Sequence, residues 1–321
     1  MSARSVSVTG ATGFVGWHLA EAFRDAGWPV SAVVRPGGGR ALPEAVTPMP
    51  AAFDAAALAR AFEGRDLVVH CAGLIRARND AAFDAVNVDG TRAVVEACNR
   101  TGAALVLISS LAAAGPGTPS HPRREGDPSA PVNAYGRSKW RSEQVVRDRA
   151  RTPWTIVRPC AVYGPRDRGF LPLFRLARRG LFVQPTPAQM PFTLVDVGDL
   201  SRAVVLAASS PRAVGETFFV GHPQPQTTAQ ILGTLAQVYG RRYVPRGLPR
   251  PLARAAAAIG DLAWRCGTKF VFDSGRYAEF KADGFVCSVE RARALLEFTA
   301  QTSLADGFAR TAAWYRDHRW V

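Results

Sequence analysis

Lysine is nearly absent: only Lys139, Lys269 and Lys281 occur among 40 basic residues, so 37 are arginine. No apolar run reaches the 18 or more residues that a spanning helix needs, so no transmembrane segment is expected. Cysteine is sparse. Cys71, Cys98, Cys160, Cys266 and Cys287 are odd in number, scattered and without metal-ligand spacing, which argues against a disulfide framework and a metal site. Met1-Ser2-Ala3-Arg4 runs directly into an apolar strand pattern, which leaves no room for a secretory leader and predicts a reduced, cytoplasmic protein. A dense basic run interleaved with aromatics is also missing. The formal charge of +14 is spread along the chain as a compositional habit, so no nucleic-acid partner is expected. Arginines beside apolar helices suit a solvated face as well as a membrane surface, and peripheral membrane contact is not the favoured reading.

The 321 residues, 47% hydrophobic and 21% charged, suffice for one large or two modest globular domains. Short apolar runs alternate with helical patterns in the first half, the form of repeated βαβ units. Ser5–Val8, Val30–Val34, Leu67–His70, Leu105–Ser109 and Trp154–Val157 read as parallel strands buried on both faces. Val15–Ala26, Ala55–Phe62 and Asp84–Thr101 read as helices between them. The fold class is therefore α/β, a doubly wound parallel sheet of the Rossmann type. After about Pro165, proline and glycine become frequent. Gly169–Gly180 and Arg250–Trp264 read as helices, and Phe192–Asp199 and Thr217–Val220 as strands or strand–helix junctions that could return to the main sheet. The expected division is a dinucleotide-binding domain over 1–165 with parts of 191–221, and a smaller interleaved C-terminal substrate lobe over 166–190 and 222–321.

Thr9-Gly10-Ala11-Thr12-Gly13-Phe14-Val15-Gly16 follows the first strand and opens the first helix. Glycines at this spacing permit a tight turn, close approach to a pyrophosphate and close helix packing. The helix N-terminus then offers unpaired N–H groups to phosphate. The second strand ends Val33-Val34-Arg35 with no carboxylate to accept from ribose hydroxyls. Arg35, with Arg40 nearby, suits a 2′-phosphate instead, so the cofactor is read as NADP over NAD.

Tyr135 and Lys139 stand one helical turn apart and share a face. With six tyrosines and three lysines in 321 residues, this spacing arises by chance about 0.06 times. A phenol moves a proton at neutral pH only when its pKa of about 10 is lowered, and a nearby ammonium favours the phenolate. Ser109-Ser110 ends a strand at the carboxyl edge where ligands of such sheets bind. There Ser110 can orient a reacting oxygen toward Tyr135.

Seven segments together resemble the extended short-chain dehydrogenase/reductase family, also called the epimerase/dehydratase family. They are Thr9–Gly16, His70–Gly73, Asn87–Thr91, Ser109-Ser110, Tyr135–Lys139, Arg158–Pro165 and Leu194–Asp196, with Ser303–Val321 similar to the family's closing helix. The resemblance implies a catalytic trio of Ser110, Tyr135 and Lys139. Ser110 is chosen over Ser109 because it lies five residues before Gly115. The resemblance also implies a dinucleotide site of Gly10, Thr12, Gly13, Phe14, Val15, Gly16, Arg35, Ala72, Gly73, Asn87, Ser109, Tyr135, Lys139 and Pro159.

Two departures bear on substrate. Ala51 stands where relatives carry an adenine-contacting Asp, and Ala161 where nucleotide-sugar members carry Asn. With Arg35, these turn the resemblance toward the 3β-hydroxysteroid-dehydrogenase-like and dihydroflavonol-reductase-like branches. The leading expectation is reversible hydride transfer at a secondary alcohol or ketone of an apolar small molecule. Apolar residues of 170–182 and 251–272 would then line the pocket or pack the smaller lobe. A nucleotide-sugar epimerase or dehydratase with retained NAD is the second reading, and a dinucleotide-binding sensor or assembly subunit the third. A homodimer through residues 84–101 and 134–150 is implied by resemblance, although Arg141, Arg147 and Arg149 would crowd it.

Overall fold

The computed structural model describes residues 4–38, 41–184, 189–244, 246–247, 250–265, 277 and 282–321. Seven parallel strands form the central sheet: β1 (Val6–Thr9), β2 (Val30–Val34), β3 (Thr47–Pro50), β4 (Leu67–His70), β5 (Ala104–Ile108), β6 (Trp154–Pro159) and, after four shorter strands, β11 (Thr217–Val220). Their spatial order is β11-β6-β5-β4-β1-β2-β3. The chain thus builds outward from β1 to β3, then crosses to β4 and builds the other way. Such a reversal opens a crevice at the carboxyl ends of β1 and β4, where doubly wound sheets bind ligands.

Helices cover both faces. On one, α1 (Phe14–Asp25) and α8 (Val197–Ser209) bury Leu19, Phe23, Leu200 and Val204 against Val6, Val8 and Ala32. On the other, α2 (Ala55–Phe62), α4 (Asp89–Thr101) and α6 (Ala134–Arg149) bury Leu58, Phe62, Val94 and Val146 against Val68, Leu105 and Ile156. Fully burying side chains of this size is worth about 1.5–3 kcal/mol each. Two short elements, α3 (Asp80–Phe83) and α5 (Leu111–Ala114), stand beside the crevice.

Beyond β6 lie β7 (Ala161–Tyr163), α7 (Leu171–Arg178), β8 (Val183–Gln184), β9 (Pro191–Phe192) and β10 (Leu194–Asp196). Beyond β11 come β12 (Gln226–Thr227), α9 (Thr228–Val238), β13 (Arg246–Gly247), α10 (Arg250–Arg265), α11 (Glu290–Leu296) and α12 (Leu304–Asp317). Phe174 of α7, Leu235 of α9 and Phe308 and Tyr315 of α12 form a separate core. The ring of Phe174 meets those of Phe308 and Tyr315 edge-on at 5.2 and 5.1 Å. Thr217–Val220 joins the main sheet through β6. The 192–199 segment, by contrast, does not join the main sheet: Leu194–Asp196 pairs with β7 in a separate two-stranded sheet, and α8 starts at Val197.

Candidate active site

The glycine loop is shaped by contacts that admit no side chain. Gly10 has φ +79°, and a Cβ there would lie 2.7 Å from the Ala72 nitrogen. A Cβ on Gly16 would lie 2.2 Å from the Gly10 carbonyl oxygen, so α1 starts against the end of β1. Gly13 caps α1 without a side-chain hydrogen bond, leaving first-turn amides and the positive helix end for an anion. These features fit a dinucleotide pyrophosphate.

Every residue of the expected catalytic trio and dinucleotide site except Asn87 lines one cavity of about 1850 Å³. Asn87 lies behind it, buried, on a π-helical turn that precedes α4. Its Oδ1 accepts from the Leu74 amide at 2.7 Å, and its Nδ2 donates to the Leu74 carbonyl at 3.0 Å and to Ser138 Oγ at 2.9 Å. Asn87 therefore holds the loop after β4 against α6. Gly73 in that loop leaves room beside both Asn87 and Lys139.

Tyr135 occupies the first turn of α6, capped by the Asn133 side chain, which accepts from the Gly136 amide at 2.8 Å. A Cβ on Gly136 would lie 2.3 Å from the Ala112 carbonyl oxygen. Glycine here lets α6 close on α5, bringing Tyr135 and Ser110 to the same cavity. Lys139 is 7% exposed, and its Nζ donates to the Ile108 carbonyl at 2.6 Å. Burial pushes its pKa down, against the pull of Cys71 and Glu143.

The two adjacent serines differ in their engagement. Ser110 caps α5, its Oγ accepting from the Ala112 amide at 3.2 Å. That leaves its hydroxyl proton available to a ligand. Ser109 donates to Glu143, a carboxylate without solvent exposure. Arg158 clamps Glu143 through two bonds of 2.9 and 2.7 Å. Breaking one partner of such a buried pair typically costs about 3–5 kcal/mol.

A second buried network lies under the loop after β4. Thr91 donates to the Asn87 carbonyl at 2.6 Å, so its oxygen must accept from His70 Nε2, 3.2 Å away. The other ring nitrogen, Nδ1, then accepts from Thr9 Oγ1 at 2.7 Å, and Thr9 accepts from the Ala72 amide at 3.2 Å. The pattern assigns a neutral imidazole protonated on Nε2. Burial, with Lys139 adding to it, pushes the His70 pKa down to about 3.

Arg35 is exposed at the end of β2 and lines the cavity; Arg40 lies outside the described residues. Ala51 and Ala161 line the cavity too, each offering only a methyl group. Farther along, the wall becomes apolar: Phe170, Leu173, Leu176, Phe192, Leu232 and Phe285 contribute to it. Phe174 and Phe182 instead pack the core. The second apolar stretch behaves differently from expectation. Within its described part, Asp261 alone reaches the cavity, while Leu252, Ile259 and Leu262 are exposed. Residues 266–272 lie outside the described residues. The helix over Arg250–Arg265 turns Leu252, Ile259 and Leu262 outward, a choice that spacing alone does not reveal.

Several site residues were not predicted from the sequence. Glu143 lies one turn beyond Lys139 on α6, a spacing that offered a signal, but a carboxylate is ordinarily assigned to the surface. Phe53 lines the cavity beside Ala51, and its ring lies 6.0 Å from that of His70. The cysteines, scattered in sequence, are partly gathered by the fold: Cys160 Sγ and Cys287 Sγ lie 3.1 Å apart as free thiols. No His, Cys, Asp and Glu cluster suited to a metal occurs among the described residues.

Comparison with known proteins agrees with this geometry. The profile of the NAD dependent epimerase/dehydratase family matches residues 6–221. The chain belongs to that family and is an NAD(P)-dependent oxidoreductase of the extended short-chain type. It is similar to ceramide reductase of Caulobacter vibrioides, with 32% identity over 98% of this chain and 96% of that protein. It is 28% identical to sterol-4-alpha-carboxylate 3-dehydrogenase, decarboxylating, of Saccharomyces cerevisiae, over 78% of this chain and 76% of the relative. Among solved structures it resembles MoeE5 in complex with UDP-glucuronic acid and NAD. The TM-score is 0.76 and the identity 25%, covering 98% and 99% of the two chains.

Proposed function

We propose that this protein reduces a ketone to a secondary alcohol on a long-chain lipid of the ceramide type, using NADP(H). The observation that carries the reading is one cavity running from the glycine loop, past Ser110, Tyr135 and Lys139, to an apolar wall. The likeness to ceramide reductase supports the substrate class. The dinucleotide would lie on 1–165 with parts of 191–221, and the lipid against cavity-lining residues of 166–190 and 222–321, such as Phe170, Leu173 and Leu232.

A bound nicotinamide dinucleotide supplies the hydride. Gly10 to Gly16 cradle its pyrophosphate, Arg35 pairs with its 2′-phosphate, and Lys139 holds its ribose hydroxyls. Ser110 donates to the substrate's carbonyl oxygen and holds it toward Tyr135. The Tyr135 phenol gives that oxygen its proton. The Lys139 ammonium favours the phenolate left behind. Asn87 and the Glu143–Arg158 pair position the loops that carry these groups.

Hydride return on a nucleotide sugar is the second reading, favoured by the likeness to MoeE5. The Ala161 methyl offers no hydrogen bond to a sugar-linked phosphate. A chain-length series of ketone lipids separates the two. Each methylene buried in the apolar part is worth about 0.8 kcal/mol, roughly fourfold in kcat/KM. The lipid reading predicts that rise until the cavity is filled. A flat series, together with a melting shift on adding a UDP-sugar, would favour the epimerase.

A further inference from the structure

We infer that the outer face of α10 and the adjoining tips of β8 and β13 form a docking surface for an anionic lipid bilayer. This rests on the lipid-substrate reading only for its biological purpose; the surface itself is argued from exposure and charge. Thirteen large hydrophobic residues are exposed among the described residues, and six fall on these elements or beside them in the chain: Leu181, Val183, Val244, Leu252, Ile259 and Leu262. The pairing of Val183 with Arg246 brings the two tips together, and α10 follows directly.

The helix is oriented against the ordinary pattern. Among its described positions Ala257 and Gly260 are buried, while Leu252, Ala255, Ile259 and Leu262 are exposed at i, i+3, i+7 and i+10. Leu252 is 57% exposed, Ile259 60% and Leu262 61%. A helix resting on its own protein turns such a stripe inward. One with the stripe outward and basic residues beside it has the form that lies in a membrane interface.

Charge selects the occupant. Residues 171–184 and 239–265 carry nine arginines against the single acid Asp261. The pairing of β8 with β13 joins the two segments. Exposed Arg178 and Arg179 precede Leu181 by way of Gly180, and exposed Arg241 and Arg242 precede Val244. A second copy of this chain would bring a like-charged surface to this one, whereas an anionic bilayer supplies the opposite charge. Val183 and Asp261 also line the cavity, so docking here sets its rim at the lipid surface. A two-chain lipid could then enter without crossing water.

The test is flotation of the full chain with phosphatidylcholine vesicles, with and without phosphatidylglycerol, in the absence of substrate. The wild type should float with the phosphatidylglycerol vesicles and be released by high salt, since surface attraction is screened within about 10 Å at 0.1 M. Ile259→Glu combined with Leu262→Glu should lower partitioning at least about tenfold. The pair should leave melting and reduction of a short, water-soluble ketone unchanged. A wild type that stays unbound with anionic vesicles, or a double variant that floats equally well, would overturn the inference. So would a wild-type dimer that the double variant converts to monomer, because the face would then belong to a second copy. None of these readouts depends on turnover of a lipid, so the substrate reading stands or falls separately.

Discussion

The Lys139 ammonium donates to the Ile108 carbonyl oxygen at 2.6 Å, tying the second turn of α6 to the end of β5. Ser109 and Ser110 follow Ile108 directly. One contact therefore sets the spacing between the helix carrying Tyr135 and the strand end carrying Ser110. A compact ammonium fits this buried place; the larger planar guanidinium does not share its reach.

Lys139→Arg should accordingly lower turnover and dinucleotide affinity together, although charge is retained. Loss of a hydrogen bond to a charged group costs about 1.5–3 kcal/mol, roughly ten- to hundredfold. Steady-state kinetics and dinucleotide titration on the same preparation check this. Full activity would mean that only positive charge is needed.

Arg35→Asp should weaken NADP about ten- to hundredfold, by loss of a charge-assisted contact. NAD, which lacks the 2′-phosphate, should be affected much less. Calorimetric titration of both dinucleotides decides the point, and equal losses would remove Arg35 from phosphate recognition.

His70 predicts a pH dependence of stability. Its folded pKa is pushed down to about 3, below the unfolded value of about 6.5. The unfolded chain thus binds the extra proton between these values, and the stability held above pH 6.5 is lost as pH falls toward 3. From pH 7 to 5 the loss from this residue is about 2 kcal/mol. Urea unfolding at the two pH values should show a smaller difference in His70→Asn than in wild type. Identical differences would mean that His70 is protonated in the folded protein.

The sequence is most legible where local pattern and tertiary burial agree. Val30–Val34, Ala55–Phe62, Leu67–His70 and Thr217–Val220 are read with their observed bounds, because strands covered on both faces must be apolar throughout and α2 begins at a capping Asp54. The short strand β3 resists such reading. Its sequence, Thr47-Pro48-Met49-Pro50, carries two prolines, which a strand tolerates at a sheet edge, where β3 lies. The π turn at Asp84–Val88 hides within a helical pattern for the same reason that boundaries do: periodicity cannot resolve one extra residue.

The site divides in the same way. The glycine loop, Ser110, Tyr135 and Lys139 meet at one cavity because each motif follows a strand or opens a helix at the carboxyl edge of the sheet. Glu143, Arg158 and the Thr9–His70–Thr91 chain are long-range partnerships, visible only when β1, β4, β6 and the helices are assembled. The outward stripe of α10 is a related case. Its period is present in the sequence, but which face meets the protein is decided by small Ala257 and Gly260, which permit close packing.

If Tyr135 delivers the proton during ketone reduction, Tyr135→Phe removes only the phenolic group that carries it. The measurement is single-turnover oxidation of bound NADPH on mixing with a long-chain ketone lipid, alongside dinucleotide affinity and melting temperature. The rate should fall about 10²–10⁴-fold, with affinity and melting nearly unchanged. A Tyr135→Phe protein that turns over at the wild-type rate would mean that the proton comes from another group.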